Sequence, residues 1–183
     1  MISNKYTYLV FSFFLLFTSS IANATQFPNT SLAIIDINLV LNESKVAINA
    51  DKQIAEINNK IQEELSEGEK LLINEQKELI EAQGIMAPEA FEEKRINYEK
   101  KVQDFQINSQ NTLVKLDKII ADVRNEILAE IEPILEEIAE EKGITVILEK
   151  GTVWLNAENM DITKLVIKKL NKNISKIKVE FEE

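Results

Sequence analysis

Gln83-Gly84-Ile85-Met86-Ala87-Pro88 decides how this chain is read. It is the one break in residues 46–142, where apolar residues recur every three or four positions with charge between them. That period marks amphipathic helix. Gly84 can take the left-handed conformation that ends a helix. Pro88 fits the first turn of the next, where its missing N–H costs nothing. Glu89, Glu92 and Glu93 then lie near the positive start of that helix. The reading is two long helices folded back on each other, an antiparallel hairpin with its tip at 84–88. Ile85 and Met86 remain apolar at the turn, either closing the hairpin end against Phe91 or meeting a partner.

Outward from the tip, the first helix covers 46–83, roughly 57 Å at about 1.5 Å per residue. Ala50, Ile54, Ile57, Ile61, Leu65, Gly68, Leu72 and Leu79 form a heptad-like seam along it. The returning helix carries Phe91, Tyr98, Val102, Phe105, Thr112, Leu116, Ile120, Val123, Ile127, Ile131, Ile134 and Ile138. With the turn near Ile85, Gly68 falls opposite 103–105. A glycine inside a helix costs about 1 kcal/mol relative to alanine, so it asks for a reason. It is either a gap that accommodates Phe105 or a hinge that lets the arm splay. Pro133 is expected to interrupt and kink the returning helix, and Gly143 to stop it.

The flanks supply a small body. Leu32-Ala-Ile-Ile-Asp-Ile37 reads as a buried strand, and 38–43 as a short helix whose end, Asn42-Glu43-Ser44, caps the next. Residues 144–149 and 152–155 read as a strand hairpin turning at Lys150-Gly151. Asp161-Ile162-Thr163 offers capping side chains for a helix over 164–171. Residues 177–181 alternate as an edge strand or a tail. The expected body core is Ile34, Ile35, Val146, Leu148, Val153, Leu155, Val166 and Leu170. The fold class is therefore mainly α with a small β body: a long coiled-coil-like hairpin arm on a small α/β body. The arm spans 46–138, and 25–45 with 139–183 form the body.

Residues 1–24 read as a secretory signal peptide: Lys5, an apolar run over 8–17, and Ala22-Asn23-Ala24 before the cleavage point. The apolar run is too short to span a bilayer. That segment holds one basic residue and no acid, so its removal takes the net charge from −10 to −11. Such acidity argues against a nucleic-acid partner, because phosphate binding needs clustered Lys and Arg. The chain has neither Cys nor His. That removes disulfides, Cys nucleophiles, His-based acid–base catalysis and zinc sites together. No catalytic, cofactor or metal residue is assigned, and an enzyme is not expected. A body of about 60 residues is marginal alone, which points to self-association. Acids crowd the base of the returning helix (Glu126, Glu130, Glu132, Glu136, Glu137, Glu140, Glu141). Lysines crowd the C-terminal segment (Lys164, Lys168, Lys169, Lys172, Lys176, Lys178). The two runs are either solvated faces or face each other.

Three stretches resemble the Skp (OmpH-like) periplasmic chaperone family: Leu32-Ala-Ile-Ile-Asp-Ile-Asn-Leu-Val-Leu-Asn-Glu-Ser-Lys45, Ile138-Ala-Glu-Glu-Lys-Gly-Ile-Thr-Val-Ile-Leu-Glu-Lys150, and Asp161-Ile-Thr-Lys-Leu-Val-Ile-Lys-Lys-Leu170. They occur in family order around a charged helical hairpin, behind a signal peptide. The resemblance implies a homotrimer in which a small β body joins three arms around a cavity. It implies an ATP-independent holdase of the periplasm that keeps unfolded outer-membrane β-barrel proteins soluble, with no cofactor. Family members best known are basic; this chain is acidic, so attraction to acidic clients is weakened and apolar contacts should matter more. Residues 171–183 extend past the family's usual end. Membrane or lipopolysaccharide contact is raised by basic arm residues in the family. The comparable cluster here is Lys94, Arg95, Lys100 and Lys101, interleaved with Glu92, Glu93 and Glu99, and it reads first as solvated helix surface. Candidate client-contacting residues are Ile73, Ile80, Ile85, Met86, Ile96 and Ile107, which sit off the main seam. The alternative is a structural or adaptor coiled coil that spaces components of the cell envelope.

Overall fold

The computed structural model describes residues 30–181. The expected signal peptide, 1–24, and most of the lead-in lie outside the described residues. The elements run β1 (Leu32–Ile35), α1 (Ile37–Glu43), α2 (Lys45–Ala82), α3 (Pro88–Lys142), β2 (Val146–Glu149) and α4 (Thr163–Asn173), with single 3-10 turns at Lys150–Thr152 and Glu158–Met160. The molecule is mainly α with a small β body. α2 and α3 form the hairpin, and β1, α1, β2 and α4 gather at its open end.

Local chemistry sets each boundary. Asp36 caps α1 by accepting the Leu39 N–H at 2.9 Å. Ser44 ends α1, donating its N–H to the Val40 carbonyl at 3.1 Å. The same residue begins α2, its hydroxyl accepting the Ala47 N–H at 3.4 Å. Ser44 alone separates the two helices. At the tip, the left-handed exit expected of Gly84 is not used; Gly143 is the glycine with positive φ, at 65°. Instead the Ile85 and Met86 N–H groups both return to the Ala82 carbonyl at 3.1 Å, a tightened last turn. Ala87 is extended (φ −60°, ψ 140°), as the residue before a proline is biased to be, and completes the reversal begun by the turn at 83–86.

α3 holds 55 residues, roughly 80 Å, and runs on through Pro133. The expected interruption does not occur there, because Ile131, Ile134 and Ile138 are all buried around that turn. Burying each is worth about 2 kcal/mol, which outweighs one lost helical hydrogen bond. The seam is nearly as read, with one shift: Ile119 packs against the core and Ile120 is exposed.

The sheet has two strands, β1 and β2, parallel, pairing Leu32 with Val146 through Ile35 with Glu149. On its other side β1 meets the chain before α4: the Ile34 carbonyl accepts the Ile162 N–H at 2.9 Å. β1 is thus covered on both edges, and Ala33, Ile34 and Ile35 are buried in succession. Among the described residues β2 has one neighbour, β1.

The expected strand over 152–155 is absent. Glu149 accepts from the Thr152 hydroxyl at 2.7 Å and its carboxylate takes the Gly151 N–H, so the chain closes a 3-10 turn and leaves the sheet. This corrects part of the expected core. Ile34, Ile35, Val166 and Leu170 are buried, but Val146 and Leu148 are exposed, Val153 is half-buried and Leu155 is 89% exposed. In β2 it is Ile147 that faces the core. A strand alternates faces, so choosing the wrong parity inverted its assignment.

One continuous core holds Ala33, Ile35, Val40, Val46, Ala47, Ala50, Val123, Ile127, Ile131, Ile134, Ile138, Ile162, Val166, Leu170 and Ile177. It draws in the base of both long helices. Beyond it the arm is thin: Ile61, Leu79 and Leu116 are its buried side chains. Residues 174–181 take neither helix nor strand and lie along the base of α2.

Candidate functional site

The hairpin register is set by its own cross-arm contacts. Lys101 Nζ reaches Glu75 at 2.5 Å and Lys94 Nζ reaches Glu78 at 3.9 Å. Farther down, Gly68 lies against the Phe105 ring. Each pair is nearly equidistant in sequence from the tip, so the helices run without slippage.

Ile73, Ile80, Ile85, Met86, Ile96 and Ile107 are all exposed. Their spacing sorts them. Ile73 and Ile80 are seven residues apart and share one face of α2; each follows a seam residue, Leu72 or Leu79, and so flanks the hairpin contact. On α3, Ile96 and Ile107 share a face with Val114 over five turns, and that face points away from the seam. Leu71 and Val114 are equally exposed and were missed; Val114 is foretold by its eighteen-residue spacing from Ile96. At the turn, Ile85 is 89% exposed, Met86 is on the edge of exposure, and Phe91 is half-buried. The result is a charged arm with isolated apolar side chains spread over tens of ångströms. No single pocket collects them.

The basic tip residues are largely neutralised within the arm. Arg95 pairs with Glu92 at 2.6 Å and also with Glu99. Hydrogen bonding to Glu92 holds its guanidinium pKa above the ordinary value, and the same contact lowers that of Glu92. Lys94 and Lys101 are taken by acids of α2. That pairing leaves little positive charge to project.

The body presents a different surface. Trp154 is fully exposed and Leu155 nearly so, on the loop that leaves β2. Between α3 and the Ile147 side of β2 lies a groove of about 650 Å³, lined by Ile37, Leu128, Leu135, Ala139, Ile144 and Ile147 among others. Nearby, Lys150 Nζ binds Asp161 at 2.8 Å. Asp161 also accepts the Thr163 N–H at 2.9 Å. Burial pushes its carboxyl up, but the Lys150 ammonium and the Thr163 groups outweigh that and bring its pKa to about 2. The acid and lysine runs meet at one point: Lys169 bridges Glu137 at 2.9 Å and Glu141 at 3.0 Å. Among the described residues no group of His, Cys, Asp or Glu gathers to hold a metal, and no helix is long and apolar enough to cross a membrane.

The family described as outer membrane protein (OmpH-like) matches residues 31–170. A solved OmpH-like structure from Caulobacter crescentus CB15 superposes with a TM-score of 0.79 at 20% identity, covering 86% of this chain and 94% of its own. The curated proteins contain no match.

Proposed function

Because the chain belongs to the OmpH-like family, we propose that it is a chaperone, and specifically an ATP-independent holdase that binds unfolded outer-membrane β-barrel proteins in the periplasm. The observation that carries this reading is the arm itself. Ile73, Ile80, Ile96 and Ile107 stand half or more exposed on a long, thinly packed hairpin, each separated from the next by charge. Such a surface makes many weak contacts and none that requires a sequence motif. Single apolar residues among charges also keep the empty arm from sticking to itself. The solved relative is described as a candidate outer membrane chaperone, which agrees with this reading. The working division is an arm over 46–138 on a body of 25–45 and 139–183, with Gly68 as a candidate hinge beside its fit to the Phe105 ring.

Self-association through the body belongs to the same proposal. β2 leaves one edge unpaired, a template for strand addition. Trp154, Leu155, Val146 and Leu148 lie exposed around it, with the groove by Ile144 and Ile147 adjacent. A homotrimer, as the family resemblance implies, would place three arms around one client. With Lys94, Arg95 and Lys101 of the four basic tip residues paired to acids, contact with lipopolysaccharide or a membrane surface is the weaker part of the reading.

The test is light scattering as a urea-unfolded outer-membrane barrel protein is diluted with and without the chain lacking residues 1–24. Suppression near one oligomer per client, without nucleotide, is the expected result. No suppression by excess folded oligomer would favour the adaptor coiled coil instead.

A further inference from the structure

Residues 174–181 lie beyond the region shared with the family, 31–170, yet they have a defined seat. Its backbone is held by one side chain of α2. Gln53 Nε2 donates to the Ile177 carbonyl at 2.7 Å, and Gln53 Oε1 accepts the Val179 N–H at 3.2 Å. A single amide thus offers the donor and the acceptor that one residue of a neighbouring parallel strand would offer. Its orientation is fixed from behind, where Nε2 also donates to Asn49 Oδ1 at 3.0 Å. Side chains then alternate. Ile177 is buried in the core and Val179 packs against it, while Val179 and Phe181 form one wall of a small cleft whose other wall is Ile57 and Ile61 of α2. Lys178 and Glu180 face solvent and pair with each other.

We infer that the seat around Gln53 on α2 is a docking site for an extended chain segment with apolar residues at alternate positions, and that 174–181 is its resident occupant. The partner's chemistry is read from the occupant. Two backbone groups are recognised, which any sequence supplies, and three apolar side chains are recognised at i, i+2 and i+4. That is the pattern of an unfolded β-strand; a helix spends its backbone groups internally and places those positions on different faces. The identity of the partner as a chaperone client rests on the proposed function; the site itself does not. A tethered tail competes at an effective concentration in the millimolar range. Weak segments are therefore excluded, and a client must displace the tail to bind.

The experiment uses a fluorescent peptide of sequence 174–183 and anisotropy. It should bind saturably to a chain ending at Asn173 and about tenfold more weakly to the full chain, whose own tail occupies the seat around Gln53. A peptide with serine at the positions of Ile177, Val179 and Phe181 should not bind. Absence of peptide binding to a truncated chain that keeps its native helicity and oligomeric state overturns the inference. If truncation unfolds the body, the full-length Gln53→Ala variant decides. Hydrogen exchange at the Val179 amide should then rise about tenfold and the peptide should gain access; unchanged exchange and no binding also overturn it. Peptide binding without protection of any unfolded barrel protein would keep the docking site and remove the holdase. Protection without peptide binding would do the reverse.

Discussion

The Phe105 ring occupies the space a side chain at Gly68 would need. A Cβ placed on Gly68 would collide with Phe105 Cε2 and lie 3.1 and 3.2 Å from Cδ2 and Cζ. Glycine is thus used in the middle of a helix because the opposite helix brings an aromatic ring to that level. Gly68→Ala should gain about 1 kcal/mol of helix propensity but displace the ring and lose more in packing. In a Phe105→Ala background the same change should stabilise. A double-mutant cycle by urea denaturation should give a coupling of about 1–2 kcal/mol. Additive effects would mean the contact does not govern the choice of glycine. Small-angle scattering of Gly68→Ala tests bending separately: an unchanged arm spread would end the hinge reading.

Removal of 69–104 shortens both arms to the same level, since Gly68 and Phe105 meet there. The core residues lie within 33–50 and 123–177 and are untouched. Sedimentation should find the oligomer unchanged, while protection of an unfolded barrel protein should be lost. Serine at Ile73, Ile80, Ile96 and Ile107 should lower protection several-fold with stability changes near 0.5 kcal/mol or less each, as expected for exposed positions. Full protection by the shortened chain would rule out an arm-based site.

Asp161 gives the body an acid-sensitive clasp. Its folded pKa, about 2, is below the ordinary 3.8, so the charged form is favoured by folding. The stabilisation is fully present above about pH 4 and is lost as pH falls through 2. Its size is on the order of 1–2 kcal/mol. Asp161→Asn should lower stability at neutral pH by about that amount and flatten the pH 4 to 2 limb of the unfolding profile. An unaltered acid limb would show that other carboxylates carry it.

Trp154 is fully exposed beside the unpaired edge of β2. Trp154→Ala should leave helicity intact, because the side chain packs on nothing within its own chain. If the body self-associates there, loss of a buried aromatic anchor should weaken the oligomer by about 2 kcal/mol or more, read as a shift to monomer in dilution sedimentation. Tryptophan emission that is already solvent-like in the wild-type oligomer would place the interface elsewhere.

The hairpin was legible because its signals are local. The three-four period, Pro88 and Gly143 each act on their neighbours in sequence, and the opposition of Gly68 and Phe105 followed by counting from the tip. The body was harder. Whether Val146 or Ile147 faces inward depends on what lies across the sheet, and no local signal fixes that parity. Trp154 and Leu155 look like core by composition but stand outside it in the single chain. The exit at Gly84 was misread because Pro88 already restricts Ala87 and makes a left-handed residue unnecessary. The Gln53 contacts span more than 120 positions, and nothing in a glutamine on a helix announces them. The arm's candidate isoleucines were found by their offset from the seam, which is again a local count.

α3 passes from body to tip as one helix, and Ser44 joins α1 to α2 with no spacer. The free part of the arm, beyond Ala50 and Val123, is therefore a lever about 50 Å long. A tilt of roughly 5° where it leaves the core would carry its tip about 4 Å sideways, by the geometry of a rod of that length. Adjustments of packing around Ile127 and Ile131, each smaller than a bond length, would thus be magnified into a change in reach large enough to admit or refuse another layer of chain.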